Sequence, residues 1–439
     1  MPDLLDERYL LPRLSLAGAD LREGLISPAL GVAPTLTQPV IRPQGIPAKA
    51  LQALPAAAVP VFAPGEDLHC GSSFSLQNGD QAGSLHGELV ERYASLIIPE
   101  NLSQPGPASA RQLSLESFLQ FTDEQYASPD FPYRDPRTLN QVHYYPARRA
   151  IDNLPVTVPA ELVFLTGVDA KRWCTISSSG LGAGRSRGSA AASAFYELIE
   201  RDAFLRTWYA RRGEGRLAML GQEPALLASA LGMGAELPRM LQKLRLRGIE
   251  ATLVQLPAVA GVPVILSCLR SGTVGLAVGC AAKSAIGDAA RTAFTESLHS
   301  YNWAMQLLEE EPAQTPPEAE LDQGQSGETI GDTGLTLRSH VQLHAPPANR
   351  PLNDFLDTGP EAGLVEFFST PAVDFTAAIS GAHDSGWELC FAEIAPAVLH
   401  GTGWYVIRAL APQAVTLDVG IPHLRQLGEV AHATLHPFP

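Results

Sequence analysis

Two nine-residue stretches of this 439-residue chain share the pattern S-x-x-x-E-x-x-E-R. The first comprises Ser84, Glu88, Glu91 and Arg92; the second comprises Ser193, Glu197, Glu200 and Arg201. On a helix, offsets of 0, 4, 7 and 8 fall within an arc of roughly 80–100°, so the four side chains of each copy share one face. Like charges one turn apart repel by a few tenths of a kcal/mol even in solvent. Two such pairs brought together need a compensating cation. Hard divalent ions take oxygen ligands, and Mg2+ characteristically combines a few carboxylates with substrate phosphates. Four glutamates and two arginines would suit Mg2+ and a polyphosphate. A single copy is equally well explained as a solvated face of salt bridges; the repetition favours the ligand site.

Two further features sit near this pattern. The second copy follows the glycine-rich stretch Gly180–Gly188. Its backbone N–H groups could face phosphate oxygens at a helix start, or the glycines could only make a tight bend. Arg291, Glu296 and His299 lie together in a third segment, the last two being neighbours on one helical face.

These residues need helices to carry them, and the hydrophobic spacing supplies three. Leu85, Leu89, Tyr93 and Leu96 predict a helix over about 82–98. A second is expected from about 189 to 211 and a third from about 284 to 309, with a shorter one near 237–246. Apolar runs predict strands at EATLVQLP, VPVILSCLR, GLAVGCAAK, WELCFAEI and WYVIRALAP, and a short one at PAELVFLTG. Helices and strands interleave without a clean boundary, which predicts one mixed α/β unit over 61–439. Residues 1–60 read as an edge element with a loose connection, and the acidic, Pro/Gly-rich stretch 309–334 as a surface loop. No G-x-x-x-x-G-K-[ST] loop and no dinucleotide fingerprint are present.

Composition narrows the partners. The net charge is −15, with 46 acidic against 31 basic residues, which disfavours nucleic acid and anionic membranes. No apolar run approaches the ~20 residues of a membrane span. The N-terminus carries acids where a signal peptide carries bases, so a cytoplasmic location is expected. Five scattered cysteines fit buried thiols in a reducing compartment. Only Lys49, Lys171, Lys243 and Lys283 are lysines, so anion binding would lean on arginine.

GELVERYAS (Gly87–Ser95) and SSSGLGAGRSRGSAAASAFYELIERDAF (Ser177–Phe204) resemble the YcaO superfamily, and more narrowly its stand-alone azoline-forming cyclodehydratases. GCAAKSAIGDAARTAFTESLHSYNWA resembles that family's third nucleotide-site helix, VIRALAP its late strand, and LHPFP its proline-rich terminus. The resemblance implies a pseudo-symmetric α/β fold with a non-P-loop site for ATP and Mg2+. Carried over by position, Glu88, Glu91, Glu197 and Glu200 would ligate the metal. Ser84, Arg92, Ser179, Gly180, Arg185, Ser193, Arg201, Arg291, Glu296 and His299 would contact the nucleotide. Arg92 and Arg201 would also stabilise the transferring phosphoryl group. The Pro-rich tail 435–439, with Pro437 and Pro439, would reach the reacting centre, the Pro439 carboxylate serving as a base.

The implied reaction converts Cys, Ser or Thr of a ribosomal precursor peptide to an azoline. An E1-like, leader-peptide-binding partner, a downstream flavin dehydrogenase and a homodimeric state are further expectations from resemblance. Three departures stand out: CGSSFS replaces a Gly-Lys-Gly, His299 stands where the family has Gln, and Leu435 replaces a proline. Thioamide or amidine formation, and a non-catalytic scaffold with a decayed ATP site, are the alternatives.

Overall fold

A computed structural model describes residues 81–99, 111–168, 172–213, 215–220, 223–310, 337–396, 402–428 and 434–438. Strand segments 36–37, 49–53 and 71–75 and the single positions 46, 102, 399 and 430 are also described. The expected loop at 309–334 and the run GLISPALGV lie essentially outside these residues, as does Pro439.

The periodic segments fold as helices: α1 (Gln81–Ser95), α2 (Arg187–Ala210), α3 (Pro224–Ala230), α4 (Glu236–Leu246), α5 (Ile286–Glu310), α6 (Leu337–His344) and α7 (Phe375–Asp384). Helix α1 stops at Ser95, short of the expected 98. There the Ser95 hydroxyl donates back to the Glu91 carbonyl, and Pro99 lies four residues on. Ser186 starts α2 through a capping box with Ser189.

Among the described residues the strands form three sheets. β1 (Leu36–Thr37), β2 (Lys49–Ala53) and β3 (Gly71–Ser75) make a small antiparallel sheet. Because β2 pairs with β3, the described part of residues 1–60 shares a sheet with residues 71–75. The largest sheet has the order β4-β6-β5-β12-β13-β7, from Arg111–Gln112 (β4), Tyr144–Arg149 (β5), Pro155–Pro159 (β6), Leu181–Gly184 (β7), Cys390–Ile394 (β12) and Tyr405–Leu410 (β13). A four-stranded antiparallel sheet runs β11-β10-β9-β8, from Ala277–Ala282 (β11), Val264–Arg270 (β10), Glu250–Leu256 (β9) and Arg216–Met219 (β8).

Helix α2 is sandwiched between these two larger sheets, burying Phe195, Leu198 and Phe204 in one core with Val264, Leu266 and Val278. The opposite faces are covered by α5 and by α1. Ile265 and Ala281 meet Ala293 and Phe294, while Val156, Ala392 and Val406 meet Leu85 and Leu89. A sheet covered on both faces explains why β10 is buried at every position and reads as a continuous apolar run.

Two expectations change. The strand expected at PAELVFLTG lies earlier, over Pro155–Pro159. After it the chain turns through Ala160–Leu162, and the buried Glu161 carboxylate accepts the Val168 N–H at 2.8 Å. The glycine-rich stretch expected as a turn contains the strand β7. An added Cβ on Gly182 would meet the Ala190 carbonyl at 2.6 Å and the Ala194 backbone, so glycine here lets the strand lie directly against α2. Gly180, at φ +80°, enters that strand beneath the Ala409 carbonyl.

Gly182→Ala is expected to destabilise the fold by about 1–3 kcal/mol through overpacking. Gly188→Ala, whose added methyl finds only the Ser186 Oγ at 3.9 Å, should be near neutral. Thermal unfolding of the two variants checks the difference.

Candidate active site

Both E-x-x-E-R helices lie against β7 and β13, and there their polar faces come together. Arg92 sits 3.8 Å from Glu88 on α1, and Arg201 lies 3.7 Å from Glu197 and 3.6 Å from Glu200 on α2. Across the gap the Glu197 charge bears on Glu91. Arg408 of β13 faces both glutamates while donating to the Ser177 carbonyl at 2.8 Å. Helix α5 adds Glu296, which neighbours Glu200, Arg201 and Lys283.

The edge strand β11 fixes two of these carboxylates. Among the described residues its backbone pairs with a strand, β10, on one side only, and Cys280 and Ala282, two residues apart, donate N–H groups to Glu296 and Glu200 respectively. Gly279 makes the approach possible, since a Cβ there would stand 2.7 Å from that of Glu296.

Burial among like charges disfavours ionisation. Loss of solvent, then the Glu197 charge, pushes Glu91 up to about 8. Glu197, Glu200 and Glu296 rise to about 7, again chiefly by burial and against the pull of Arg201. Glu296 keeps surface in contact with water, so the carboxylates line a cleft walled by protein rather than a sealed core. Burial also lowers Arg408 to about 10.

The donor set fits an anionic nucleotide, whereas among the described residues no three carboxylates already stand as a metal-holding group, so a metal here would share its ligands with the nucleotide's phosphates. Arg92 Nε, Arg201 Nε and Nη1, and Arg408 Nε and Nη1 are buried without a hydrogen-bond partner among the described residues, although Arg92 and Arg201 keep ion-pair contacts with their own glutamates at 3.6–3.8 Å. Phosphate oxygens would satisfy such donors. The crowded carboxylates present the oxygen ligands that a hard divalent cation requires.

The other expected residues are less uniformly placed. Ser193 is exposed one turn before Glu197, and His299 is partly exposed one turn beyond Glu296. Ser84 lies one turn before Glu88, its side chain outside the described set. Arg185 is exposed and stacks on Trp404 at 3.9 Å. Ser179 is fully buried and its hydroxyl accepts the Leu417 N–H at 3.0 Å, which makes it a backbone anchor in this arrangement. Arg291 turns to Asp288 and the Leu231 carbonyl. Gly180 shapes the entry to β7. Sequence reasoning missed Arg408 and Lys283. Arg408 carried a readable signal: a lone arginine inside the apolar strand YVIRAL needs a buried partner.

The tail reaches the same place. Pro437 and Phe438 are buried, and the Phe438 ring lies 3.9 Å under the Arg201 guanidinium.

The family description "YcaO cyclodehydratase, ATP- and Mg2+-binding" matches residues 82–415. The chain belongs to the YcaO family. Its YcaO fold is similar to that of a heterocyclase in complex with substrate and cofactor, with a TM-score of 0.61 at 19% identity over 92% of this chain and 52% of that one. The chain thus spans about half the length of that heterocyclase. YcaO from Methanopyrus kandleri, bound with AMPPCP and Mg2+, gives 0.58 at 17% identity, covering 87% and 86% of the two chains. The E. coli microcin synthetase McbBCD complex gives 0.61 at 13% identity, covering 92% and 96%. No curated protein matches the sequence. The family is ATP- and Mg2+-binding, and in this chain both E-x-x-E-R faces converge on one cleft. Among the described residues no helix is long and apolar enough to cross a membrane.

The raised carboxylates set a pH dependence. A glutamate whose folded pKa exceeds its unfolded value binds more protons when folded, so its stabilisation is present near pH 4.5 and lost as pH rises through 7–8. The buried histidines lose stability only as pH falls below about 6.5, and the cysteines and tyrosines act above 9, which leaves 6.5–8.5 to the glutamates. Without ligands the melting temperature should fall across that window. Mg2+ with a nucleotide analogue should reverse the fall, and Glu91→Gln should flatten it.

Proposed function

We propose that this YcaO enzyme is a peptide cyclodehydratase that closes azoline rings at Cys, Ser or Thr of a ribosomally made precursor. The observation supporting this most strongly is the buried run Thr434–Phe438 ending on Arg201, beside the carboxylate cluster. A segment delivered to the phosphate-facing arginine is suited to meet a peptide there.

In the proposed reaction the side-chain nucleophile attacks the preceding amide carbonyl, and the oxygen of the resulting tetrahedral carbon must leave. Bound ATP supplies the phosphoryl group that makes this oxygen a good leaving group, with Mg2+ neutralising the phosphate charge. The protein contributes position and electrostatics. Glu88, Glu91, Glu197 and Glu200 would hold the metal. Arg92, Arg201 and Arg408 would pair their unsatisfied N–H groups with phosphate oxygens, where a partly dehydrated site strengthens each bond. Pro437 would stiffen the tail, and Pro439 at its end would supply the base.

The substrate is proposed to arrive with a leader-binding, E1-like partner, in line with the microcin synthetase complex, one structure of which holds pro-MccB17. A flavin dehydrogenase would oxidise the rings, and the enzyme would work as a homodimer.

Glu197→Ala and Arg201→Ala are each expected to lower peptide-dependent ATP hydrolysis at least about a hundredfold. Mass spectrometry of a candidate precursor should show one water lost per ring with the native enzyme and none with either variant; undiminished turnover overturns the assignment. Removing Phe438 and Pro439 should stop ring formation while Mg-nucleotide still raises the melting temperature. Loss of that thermal shift would make the tail part of the nucleotide site.

A further inference from the structure

Residues 434–438 pass through the interior, and three histidines with one tryptophan hold them. The Trp208 indole N–H donates to the Thr434 carbonyl at 2.9 Å. His344 Nε2 stands 2.7 Å from the Leu435 carbonyl. His340 Nδ1 lies 2.9 Å from the His436 carbonyl and 3.2 Å from the His436 Nδ1. All three rings are buried.

The partners fix where each proton sits. Arg270 can only donate and faces the Asn353 Oδ1, so the Asn353 Nδ2 must be the atom 3.1 Å from His344 Nδ1. His344 Nδ1 is therefore the acceptor. Its proton resides on Nε2, aimed at Leu435. His436 Nε2 faces the Asp418 carbonyl at 3.2 Å and must carry that ring's proton. His436 Nδ1 is then a lone pair, and His340 Nδ1–H must be the donor to it. His340 Nε2 is left bare, without a hydrogen-bond partner among the described residues.

Both chains of bonds end in firm anchors. Asp357 lies 2.8 Å from Arg270 Nε, and the Asp418 carboxylate accepts the Tyr209 hydroxyl at 2.7 Å. Trp208 packs edge-on against His344, and Phe204 against both His436 and Phe438. The charged groups facing the rings are Arg270 and Arg211 toward His344 and Arg201 toward His436. Burial, with these charges, holds His340 and His344 down at about 4 and His436 well below its ordinary value, so all three are neutral at neutral pH. A second proton on His344 would set N–H against the Asn353 N–H, and one on His436 would set N–H against His340.

We infer that His340, His344 and His436, each locked in one neutral tautomer, form a clamp with Trp208 that holds Thr434–Phe438 over Arg201. They are positioning residues: none touches the carboxylate cluster, and each acts through the tail. The consequence for turnover rests on the cyclodehydratase reading; the clamp itself does not.

Nitrogen-15 NMR of the labelled full chain should show the Nε2–H tautomer for His344 and His436 and the Nδ1–H tautomer for His340. Hydrogen exchange followed by mass spectrometry should find residues 434–438 protected, and His344→Ala should speed their exchange on the order of tenfold. His344→Gln, whose amide can donate to the same carbonyl, should restore part of the protection. In turnover, His344→Ala should lower kcat with little change in the KM for ATP. An Nδ1–H tautomer at His344 in the native protein, or unchanged protection of 434–438 in His344→Ala, overturns the clamp. Native tautomers and protection as described, without ring formation by the native enzyme, would instead count against the cyclodehydratase reading alone.

Discussion

Carboxylates held close together in a protein-walled cleft are the constraint around which this fold is arranged. The Glu197 charge raises the proton affinity of Glu91, and Glu296 acts in the same way on Glu200 at the second helix junction. Burying an anion costs several kcal/mol unless a cation or a proton accompanies it. The chain provides Arg92, Arg201, Arg408 and Lys283, but holds Arg92 and Arg201 at 3.6–3.8 Å from their own glutamates, longer than a hydrogen bond. Five carboxylates, Glu88 included, face these four cations, and the guanidinium donors are left unsatisfied in direction. Such a site gains more than a collapsed salt-bridge network would when a metal and a polyanion enter together.

Keeping that arrangement from collapsing is the work of the backbone. β11 uses the donors of an edge strand, ordinarily an aggregation hazard, to hold Glu200 and Glu296 in place. Gly279 and Gly182 let α5 and α2 lie against their strands without intervening side chains, so the helix faces are set by backbone contact. Rigid backbone supports are harder to displace than rotamers, and two carboxylates pinned by N–H groups cannot swing out to relieve their repulsion.

Much of this was legible in the sequence because helical spacing is local information. The positions of Glu88, Glu91, Glu197 and Glu200 on their helices follow from offsets of three and four residues, and those helices form within a few residues of expectation. What offsets cannot reveal is which elements become neighbours. Arg408 enters from β13, more than two hundred residues from Arg201, and its role emerges only when β13 pairs with β7. Local bonds are equally hidden from a sequence: the Ser179 hydroxyl accepts the Leu417 N–H and Arg291 donates to Asp288. The glycine-rich stretch misled because glycine for a turn and glycine for close packing look the same in a sequence.

The tail poses a further electrostatic problem, since it must be fixed beside Arg201 without consuming the charge that guanidinium offers. An acidic anchor there would neutralise Arg201, and a basic one would raise the positive potential and repel the neighbouring cations. Neutral imidazoles and an indole avoid both outcomes, because each donates one directed hydrogen bond and carries no net charge. Phe438 follows the same logic: its ring face attracts the guanidinium through the quadrupole while leaving the N–H edge free for oxygen ligands. Burial makes this arrangement self-consistent, since the surroundings that keep the histidines uncharged are the ones that close the tail in.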